Sequence, residues 1–161
     1  MIYRSFSSAY TKNFASRLAR RVTSAPRGKS ASVLALHGEL GAGKTTFVQG
    51  FLRALGVRQR ITSPTFLIVH RYALAKRKSL NAKHGFTAAY HIDGYRLKRA
   101  SELSSLGLKE IFGNPSHIVL VEWPQRLKRQ LPRRAVRVEF HHGARESERR
   151  IIIKGKLNGR S

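Results

Sequence analysis

Apolar residues recur along this chain with two periods, which predict two kinds of secondary structure. Phe14, Leu18 and Val22 fall at helical spacing and predict a helix over residues 7–23. The segment "SVLALH" (32–37) is almost continuously apolar, which is typical of a strand that is buried on both faces. The same patterns predict a second helix over 45–55 and three further strands: "TFLIVHRY" (65–72), "TAAYHID" (87–93) and "HIVLVEW" (117–123).

The loop between the first buried strand and the second helix carries a phosphate-binding pattern. Its sequence is "HGELGAGKTTF" (37–47), in which Gly38, Gly43, Lys44 and Thr45 match G-x-x-x-x-G-K-[ST]. Glycine lets successive backbone N–H groups turn inward around phosphate oxygens, because it adopts unusual dihedral angles and has no Cβ. The lysine of this pattern reaches the β- and γ-phosphates, and the hydroxyl after it is a ligand for Mg²⁺. The loop therefore predicts a nucleotide site, against the alternative of a chance match in a glycine turn.

Two of the eight acidic residues stand at the ends of predicted strands. Glu122 closes "HIVLVE", and Asp93, the only aspartate, closes "TAAYHID". Ligands of open α/β folds bind at the carboxyl edge of the sheet, so we expect these carboxylates to serve the magnesium and the attacking water. A helix cap or an ion pair with an arginine is the alternative for each. Glu39 has no assigned role, and the remaining acids are predicted at solvated surface positions: Glu102, Glu110, Glu139, Glu146 and Glu148.

The segment "ITSPTF" (61–66) follows the second helix and contains three hydroxyl side chains around a proline. It is either a loop that senses the γ-phosphate, as nucleotide switches do, or a polar turn before a strand. Trp123, the sole tryptophan, is more often a core or rim aromatic than a nucleotide contact. The histidines show no metal-type spacing.

The chain is strongly basic, with 32 Lys and Arg against 8 Asp and Glu and a formal charge of +24. Such a surface attracts polyanions, of which a nucleic acid is the leading candidate, although a general compositional bias is the alternative. The dense basic runs at 75–84 and 126–134 are predicted as solvated loops. The chain has no cysteine and no apolar run near the roughly 20 residues of a membrane span, so we expect a cytoplasmic protein without a membrane segment.

The length of 161 residues fits a single domain over residues 1–161, and we expect flexible termini at 1–6 and 155–161. No N-K-x-D run is present to recognise guanine, which disfavours a GTPase. A small-molecule kinase stays open, because residues 126–134 can form an arginine-bearing lid over the phosphates. A plain RNA-binding module also stays open, and it would tolerate the loss of Lys44.

The ordered set "GELGAGKTTF", "SPTF", "HIDGYRL" and "VEWPQ" resembles the TsaE (YjeE) family closely, from about residue 7 to about residue 153. The resemblance implies a P-loop NTPase-like, three-layer α/β fold with a mixed, mainly parallel central sheet. It implies an ATPase that binds ATP with Mg²⁺ and is required for the threonylcarbamoyladenosine modification of tRNA. Its partners would be a TsaD-like transferase and a TsaB-like subunit, which ATP hydrolysis drives or resets. The charge of +24 is higher than this family suggests, and a direct tRNA-facing surface is one explanation.

The resemblance also assigns roles to residues of this chain. Asp93, Glu122 and Lys44 are the predicted catalytic residues, and Thr45 with Glu122 would hold the metal. The predicted nucleotide contacts are Gly38, Gly41, Ala42, Gly43, Lys44, Thr45, Thr46, Ser63, Thr65 and Trp123.

Overall fold

The computed structural model describes residues 1–62, 68–74, 85–97 and 100–155. Seven strands lie in this part of the chain: β1 (Ile2–Ser5), β2 (Ser32–His37), β3 (Val69–Ala73), β4 (Ala88–Asp93), β5 (His117–Glu122), β6 (Val136–His142) and β7 (Arg149–Lys154). The helices are α1 (Ser8–Ser24), α2 (Lys44–Ala54), α3 (Ala100–Ser104), α4 (Leu108–Gly113) and a 3₁₀ helix (Pro124–Gln130). None of the helices among these residues has the length and hydropathy to cross a bilayer.

All seven strands form one mixed sheet in the order β1-β7-β6-β2-β5-β4-β3. The four central strands β6, β2, β5 and β4 run parallel to one another. The three outer pairings, β1 with β7, β7 with β6 and β3 with β4, are antiparallel. The predicted α/β class with a mixed sheet is therefore confirmed, and the parallel part occupies the centre, where buried strands with few polar side chains are expected.

Helices cover the sheet from both sides, which gives three layers. One face packs on α1 and α2 through a core that includes Leu18, Phe47 and Val138. The opposite face packs on α3, α4 and the 3₁₀ helix through residues that include Val121 and Leu127. Both central strands β2 and β5 are consequently covered on both faces, as their continuous apolar sequences require.

The two long helices pack very closely, and this contact fixes the position of the phosphate loop. A Cβ on Gly50 of α2 would lie 2.5 Å from the backbone of Lys12 in α1, so only glycine allows this approach. Helix α1 begins at the cap Ser7, whose hydroxyl accepts a hydrogen bond from the Tyr10 N–H at 3.3 Å. The close contact with α1 holds helix α2, and with it the loop before it, against the sheet.

Several predicted elements agree with the structure, and others need correction. The helix predicted over 7–23 is α1, the strand predicted over 32–37 is β2, and the remaining predicted strands correspond to β3, β4 and β5. β3 begins at Val69, and residues 65–67 of the predicted strand over 65–72 lie outside the described residues. The basic run at 75–84 also lies outside them.

Three expectations differ in detail from the structure. Residues 1–6 were expected to form a flexible terminus, and the structure has the edge strand β1 there, paired with β7. The run at 126–134 is not simply a solvated loop, because its first part belongs to the 3₁₀ helix and Leu127 is fully buried. Glu139 was expected at a solvated position, but only 9% of its surface is exposed, because Arg137 and Lys154 pack over it.

Candidate functional site

The glycine loop between β2 and α2 adopts a backbone that only glycine accommodates easily. Gly38, Gly41 and Gly43 have φ values of 152°, 73° and 98°. A Cβ on Gly38 would also lie 2.7 Å from the carbonyl oxygen of Phe140, which is a steric clash. Around Gly41 and Gly43 the space is open, so the backbone conformation itself is the reason for glycine there. The loop ends at Gly43, and α2 starts at once with its unpaired N–H groups pointing toward the loop.

Lys44, the first residue of α2, is buried by the loop around it. Its Nζ donates hydrogen bonds to the carbonyl oxygens of Gly38 and Glu39, both at 2.8 Å. The same ammonium lies 4.3 Å from the centre of the Trp123 ring. Burial lowers the pKa of Lys44, and the neighbouring carboxylates, Glu122 first among them, act in the opposite direction. The loop therefore fixes one cation at the start of the helix.

Glu122, at the end of β5, is held by two other polar side chains. Its two carboxylate oxygens accept from the Thr45 hydroxyl at 3.0 and 3.1 Å. Its Oε1 lies 2.8 Å from Nε2 of His91, a residue with no exposed surface. With an ionised carboxylate, this histidine nitrogen carries the proton and donates it. The other ring nitrogen, Nδ1, is buried and has no hydrogen-bond partner among the described residues.

Asp93 ends the neighbouring strand β4, and its register partner in β5 is Glu122. Only 4% of its surface is exposed, and its Oδ1 accepts a hydrogen bond from the backbone N–H of Tyr95 at 3.0 Å. Two carboxylates therefore lie side by side at the carboxyl edge of the parallel strands. This is the edge at which open α/β sheets bind ligands.

A cavity of about 340 Å³ joins these groups. It is lined by Leu40, Gly41, Gly43, Lys44, Thr45, Thr46, Asp93, Tyr95, Glu122 and Trp123. Trp123 adopts a left-handed backbone conformation with φ 54°, which is unusual for a bulky residue, and its ring lies 5.2 Å from that of Tyr95. The chain turns sharply here, because a Cβ on Gly94 would lie 2.8 Å from the Trp123 carbonyl oxygen. This turn directs two aromatic rings to the rim of the cavity.

Most of the residues predicted for the site line this cavity. Two of the predicted loop residues do not, because Gly38 contributes only its carbonyl to Lys44 and Ala42 is fully buried. Ser63 and Thr65 lie outside the described residues. The chemical roles given to all of these residues stay predictions.

Four residues around the site had not been predicted. His91 stands two residues before Asp93 in the same strand, so the two-residue period of a strand was a signal that both face one way. Tyr95 and Leu40 are exposed at the rim, where hydropathy gives no signal. Arg149 of β7 donates to the carbonyl oxygen of Gly41 at 3.1 Å, although it is 108 positions away in the chain.

The oxygen ligands at the cavity suit Mg²⁺ better than a metal that takes all of its ligands from the protein. Thr45 and Glu122 supply hard oxygen ligands, which Mg²⁺ prefers. Within the described ranges, His, Asp and Glu form no group of three or more that could hold a metal ion. Mg²⁺ characteristically uses one or two protein ligands and takes the rest from water and phosphate.

A glycine loop with left-handed residues, a lysine at the helix start and strand-end carboxylates define a P-loop nucleotide-binding protein. Comparison with known proteins narrows this class. The family model "Threonylcarbamoyl adenosine biosynthesis protein TsaE" matches residues 6–151. The chain belongs to the TsaE family, whose members take part in the threonylcarbamoyladenosine modification of tRNA.

Individual relatives support this assignment. The chain is 38% identical over 125 residues to the tRNA threonylcarbamoyladenosine biosynthesis protein TsaE of Bacillus subtilis, covering 78% of this chain and 70% of that protein. It is 34% identical over 110 residues to the protein of the same name in Treponema pallidum, covering 68% and 72%. The crystal structure of Bacillus subtilis YdiB superposes with a TM-score of 0.71 at 29% identity, covering 95% of this chain and 83% of that one. The resemblance seen in the sequence is therefore confirmed.

Proposed function

We propose that this protein binds ATP with Mg²⁺ in the cavity between α2 and the ends of β4 and β5, and hydrolyses it. The observation that supports this most strongly is the meeting of Lys44, Thr45, Asp93 and Glu122 around one space. These residues come from three distant parts of the sequence. Together they provide one cation, one hydroxyl and two carboxylates, which is the set that phosphoryl transfer to water uses.

Each side chain has a distinct part in this proposal. The Lys44 ammonium neutralises the β- and γ-phosphates, and the loop amides from Gly41 to Thr46 bind their oxygens. Thr45 and Glu122 hold Mg²⁺, which supplies electrostatic stabilisation of the charge that develops on the phosphate oxygens. Asp93 orients the attacking water and accepts its proton. Trp123 bounds the nucleotide on the open side.

We further propose that the energy of hydrolysis changes the conformation of a complex with a TsaD-like transferase and a TsaB-like subunit. Membership of a family that works in tRNA modification supports a role beside a transferase. The same membership supports the cytoplasmic setting expected from the sequence. The carbamoyl transfer itself would be carried out by the partner.

The small-molecule kinase alternative has little support. The described residues that line the cavity include no arginine, and the first part of the 126–134 run is a 3₁₀ helix whose Leu127 packs into the core. A kinase lid would need these arginines at the phosphates. We therefore favour the ATPase.

The proposal is tested by measuring phosphate release with and without the TsaD-like and TsaB-like proteins. We expect slow release by the wild type alone and clear stimulation by the two partners together. Asp93→Asn and Glu122→Gln should each lose at least 100-fold in turnover, in line with the removal of one catalytic group. Glu110→Gln, which changes an exposed acid on α4, serves as the matched control and should keep full activity. Release that depends on a small acceptor, and not on the partners, would support the kinase instead.

A further inference from the structure

Among the described residues, helices cover only one face of the sheet edge formed by β1, β7 and β6. Its inward side chains, such as Phe140 and Ile151, belong to the core beneath α1 and α2. Of the side chains that point the other way, all but Glu139 and Ile152 are exposed, and no helix of the described ranges packs against them. On this outward face stand Ile2, Arg4, Arg137, Glu139, His141, Arg150, Ile152 and Lys154. We call these residues the open sheet face.

Register pairing arranges the open sheet face in rows across the strands. Arg4 of β1 is the register partner of Arg150 in β7, and Arg150 is the partner of His141 in β6. This row of basic residues runs across all three strands. Beside it, Ile2 pairs with Ile152, and 67% of the Ile2 surface is exposed.

A second basic row, Arg137 with its partner Lys154, is partly neutralised by one carboxylate of the protein itself, that of Glu139. Lys154 Nζ lies 3.0 Å from a carboxylate oxygen of Glu139, and Arg137 also pairs with that carboxylate. These contacts, the Lys154 hydrogen bond first, lower the pKa of Glu139. The carboxylate therefore stays charged beneath its two partners.

The first row has no such compensation at its two arginines. Among the described residues, no carboxylate lies within 4.0 Å of Arg4 or Arg150. Like charges directly opposite each other on neighbouring strands destabilise a sheet. An exposed cationic row of this kind is suited to an external anion with repeating charges, because each guanidinium can bind a phosphate through two N–H groups.

We propose that the open sheet face binds the phosphate backbone of tRNA. This inference deepens the tRNA-modification role in the proposed function and is independent of ATP hydrolysis. None of the outward positions holds Phe, Tyr or Trp, so the face has no platform for stacking unpaired bases. It is therefore suited to a folded RNA recognised through its backbone, with affinity that depends steeply on salt. The exposed Ile2, with the half-buried Ile152 beside it, provides apolar contact with ribose.

The test compares two double variants that each remove two positive charges from the formal +24. Arg4→Gln/Arg150→Gln alters the open sheet face, and Arg20→Gln/Arg21→Gln alters exposed positions of α1 as the matched control. Binding is measured by fluorescence anisotropy with an unmodified tRNA transcript that carries adenosine beside the anticodon, over a range of salt concentrations. We expect the first variant to bind about tenfold or more weakly near 0.1 M salt, with the slope of log affinity against log salt reduced by about two. The α1 variant should stay within about twofold of the wild type.

Further variants and outcomes distinguish tRNA binding by the open sheet face from general charge attraction and from binding of an acidic protein. Arg4→Lys/Arg150→Lys keeps the charge but loses the paired N–H groups of the guanidinium, so the salt slope should match that of the wild type and the affinity should fall less than in the glutamine variant. Equal losses in the open-face and α1 variants would overturn the proposal in favour of general charge attraction. Unchanged tRNA affinity, together with lost assembly with the TsaD-like and TsaB-like proteins, would overturn it in favour of an acidic protein partner.

The same proteins also distinguish this inference from the ATPase proposal. ATP affinity and turnover should be unchanged in Arg4→Gln/Arg150→Gln, and its thermal midpoint should equal or exceed that of the wild type, because repulsion has been relieved. If the wild type fails to hydrolyse ATP while the two variants still differ in tRNA binding, the ATPase proposal fails and the tRNA-binding face stands. If ATP is hydrolysed as proposed and tRNA binding is unaffected by the open-face substitutions, the ATPase proposal stands and the tRNA-binding face is refuted.

Discussion

Replacement of His91 by leucine should weaken magnesium-dependent ATP binding without unfolding the protein. The histidine has no exposed surface, and its Nε2 lies 2.8 Å from Oε1 of Glu122. His91 does not line the cavity, and it acts by positioning the carboxylate of Glu122. Leucine has a similar bulk but donates no hydrogen bond. Of the two side chains that bond to Glu122 in this structure, the variant keeps only Thr45.

Two effects on stability oppose each other in this variant. A hydrogen bond to a charged group contributes about 1.5–3 kcal/mol, and its loss destabilises the protein. Leucine also removes Nδ1, which is buried without a hydrogen-bond partner in the described part of the chain, a burial that costs about 1–3 kcal/mol. Since the two terms are of similar size, we expect the free energy of unfolding to change by less than about 1 kcal/mol.

The effect on function has no such compensation. A carboxylate that has lost one of its orienting donors holds Mg²⁺ less well, and loss of such a partner typically costs about 10–100-fold in metal affinity or activity. The same range follows from about 1.5–3 kcal/mol at about 1.4 kcal/mol per factor of ten. Mg²⁺ should raise the affinity of the wild type for ATP, and we expect this increase to be about 10–100-fold smaller in His91→Leu. ATP binding without metal should be unchanged.

The single tryptophan makes this measurable in solution. Trp123 lines the cavity and lies 4.3 Å from the Lys44 ammonium, so its fluorescence should respond to ATP. Titrations with Mg²⁺ and with a chelator give the two affinities. His117→Leu is the matched control, because this histidine lies on the same sheet but bonds to a backbone carbonyl, and His91→Gln retains a donor. If His91→Leu leaves the effect of Mg²⁺ intact, or weakens binding equally with and without metal, the positioning role is refuted.

Three further predictions concern the loop and the buried acid. Lys44→Ala should lower ATP affinity by at least 100-fold with the fold intact by circular dichroism, because the phosphates lose their cation; unchanged affinity would favour a plain RNA-binding module. Gly38→Ala should destabilise the protein by about 2–4 kcal/mol in urea unfolding, because its Cβ would meet the Phe140 carbonyl at 2.7 Å, whereas Gly43→Ala, with only backbone strain, should cost about 1–2 kcal/mol; equal effects would contradict this. The pKa of Glu139 is lowered, so its ion pairs stabilise the protein fully above the ordinary carboxyl pKa, and this stabilisation is lost as the pH falls through the lowered pKa. Glu139→Gln should therefore be less stable than the wild type at pH 7 by about 1 kcal/mol. The difference in stability between the two proteins should shrink on acidification.

The sequence by itself determined the segments whose signals are local. β2, the glycine loop and α2 follow one another within residues 32–54, and each is specified by neighbours in the chain: continuous apolar residues, glycines at left-handed positions and helical spacing. The strand-end positions of Asp93 and Glu122 could also be predicted, because an apolar run that closes on an acid places that acid at the edge of the sheet. The family resemblance followed from these same motifs.

Only the tertiary structure decided the contacts between distant segments. The short strand β1 has few residues to form a pattern, and it exists because β7 offers it hydrogen bonds. Glu139 is buried because Arg137 and Lys154 meet above it from two strands. The hydrogen bond from Arg149 to Gly41 joins segments that are 108 positions apart in the chain. Local periodicity tells which face of a strand is apolar, but it does not specify which strand lies beside it. Strand order and register are set by the packing of the whole core, and they place His91 against Glu122 and align the basic residues of the open sheet face.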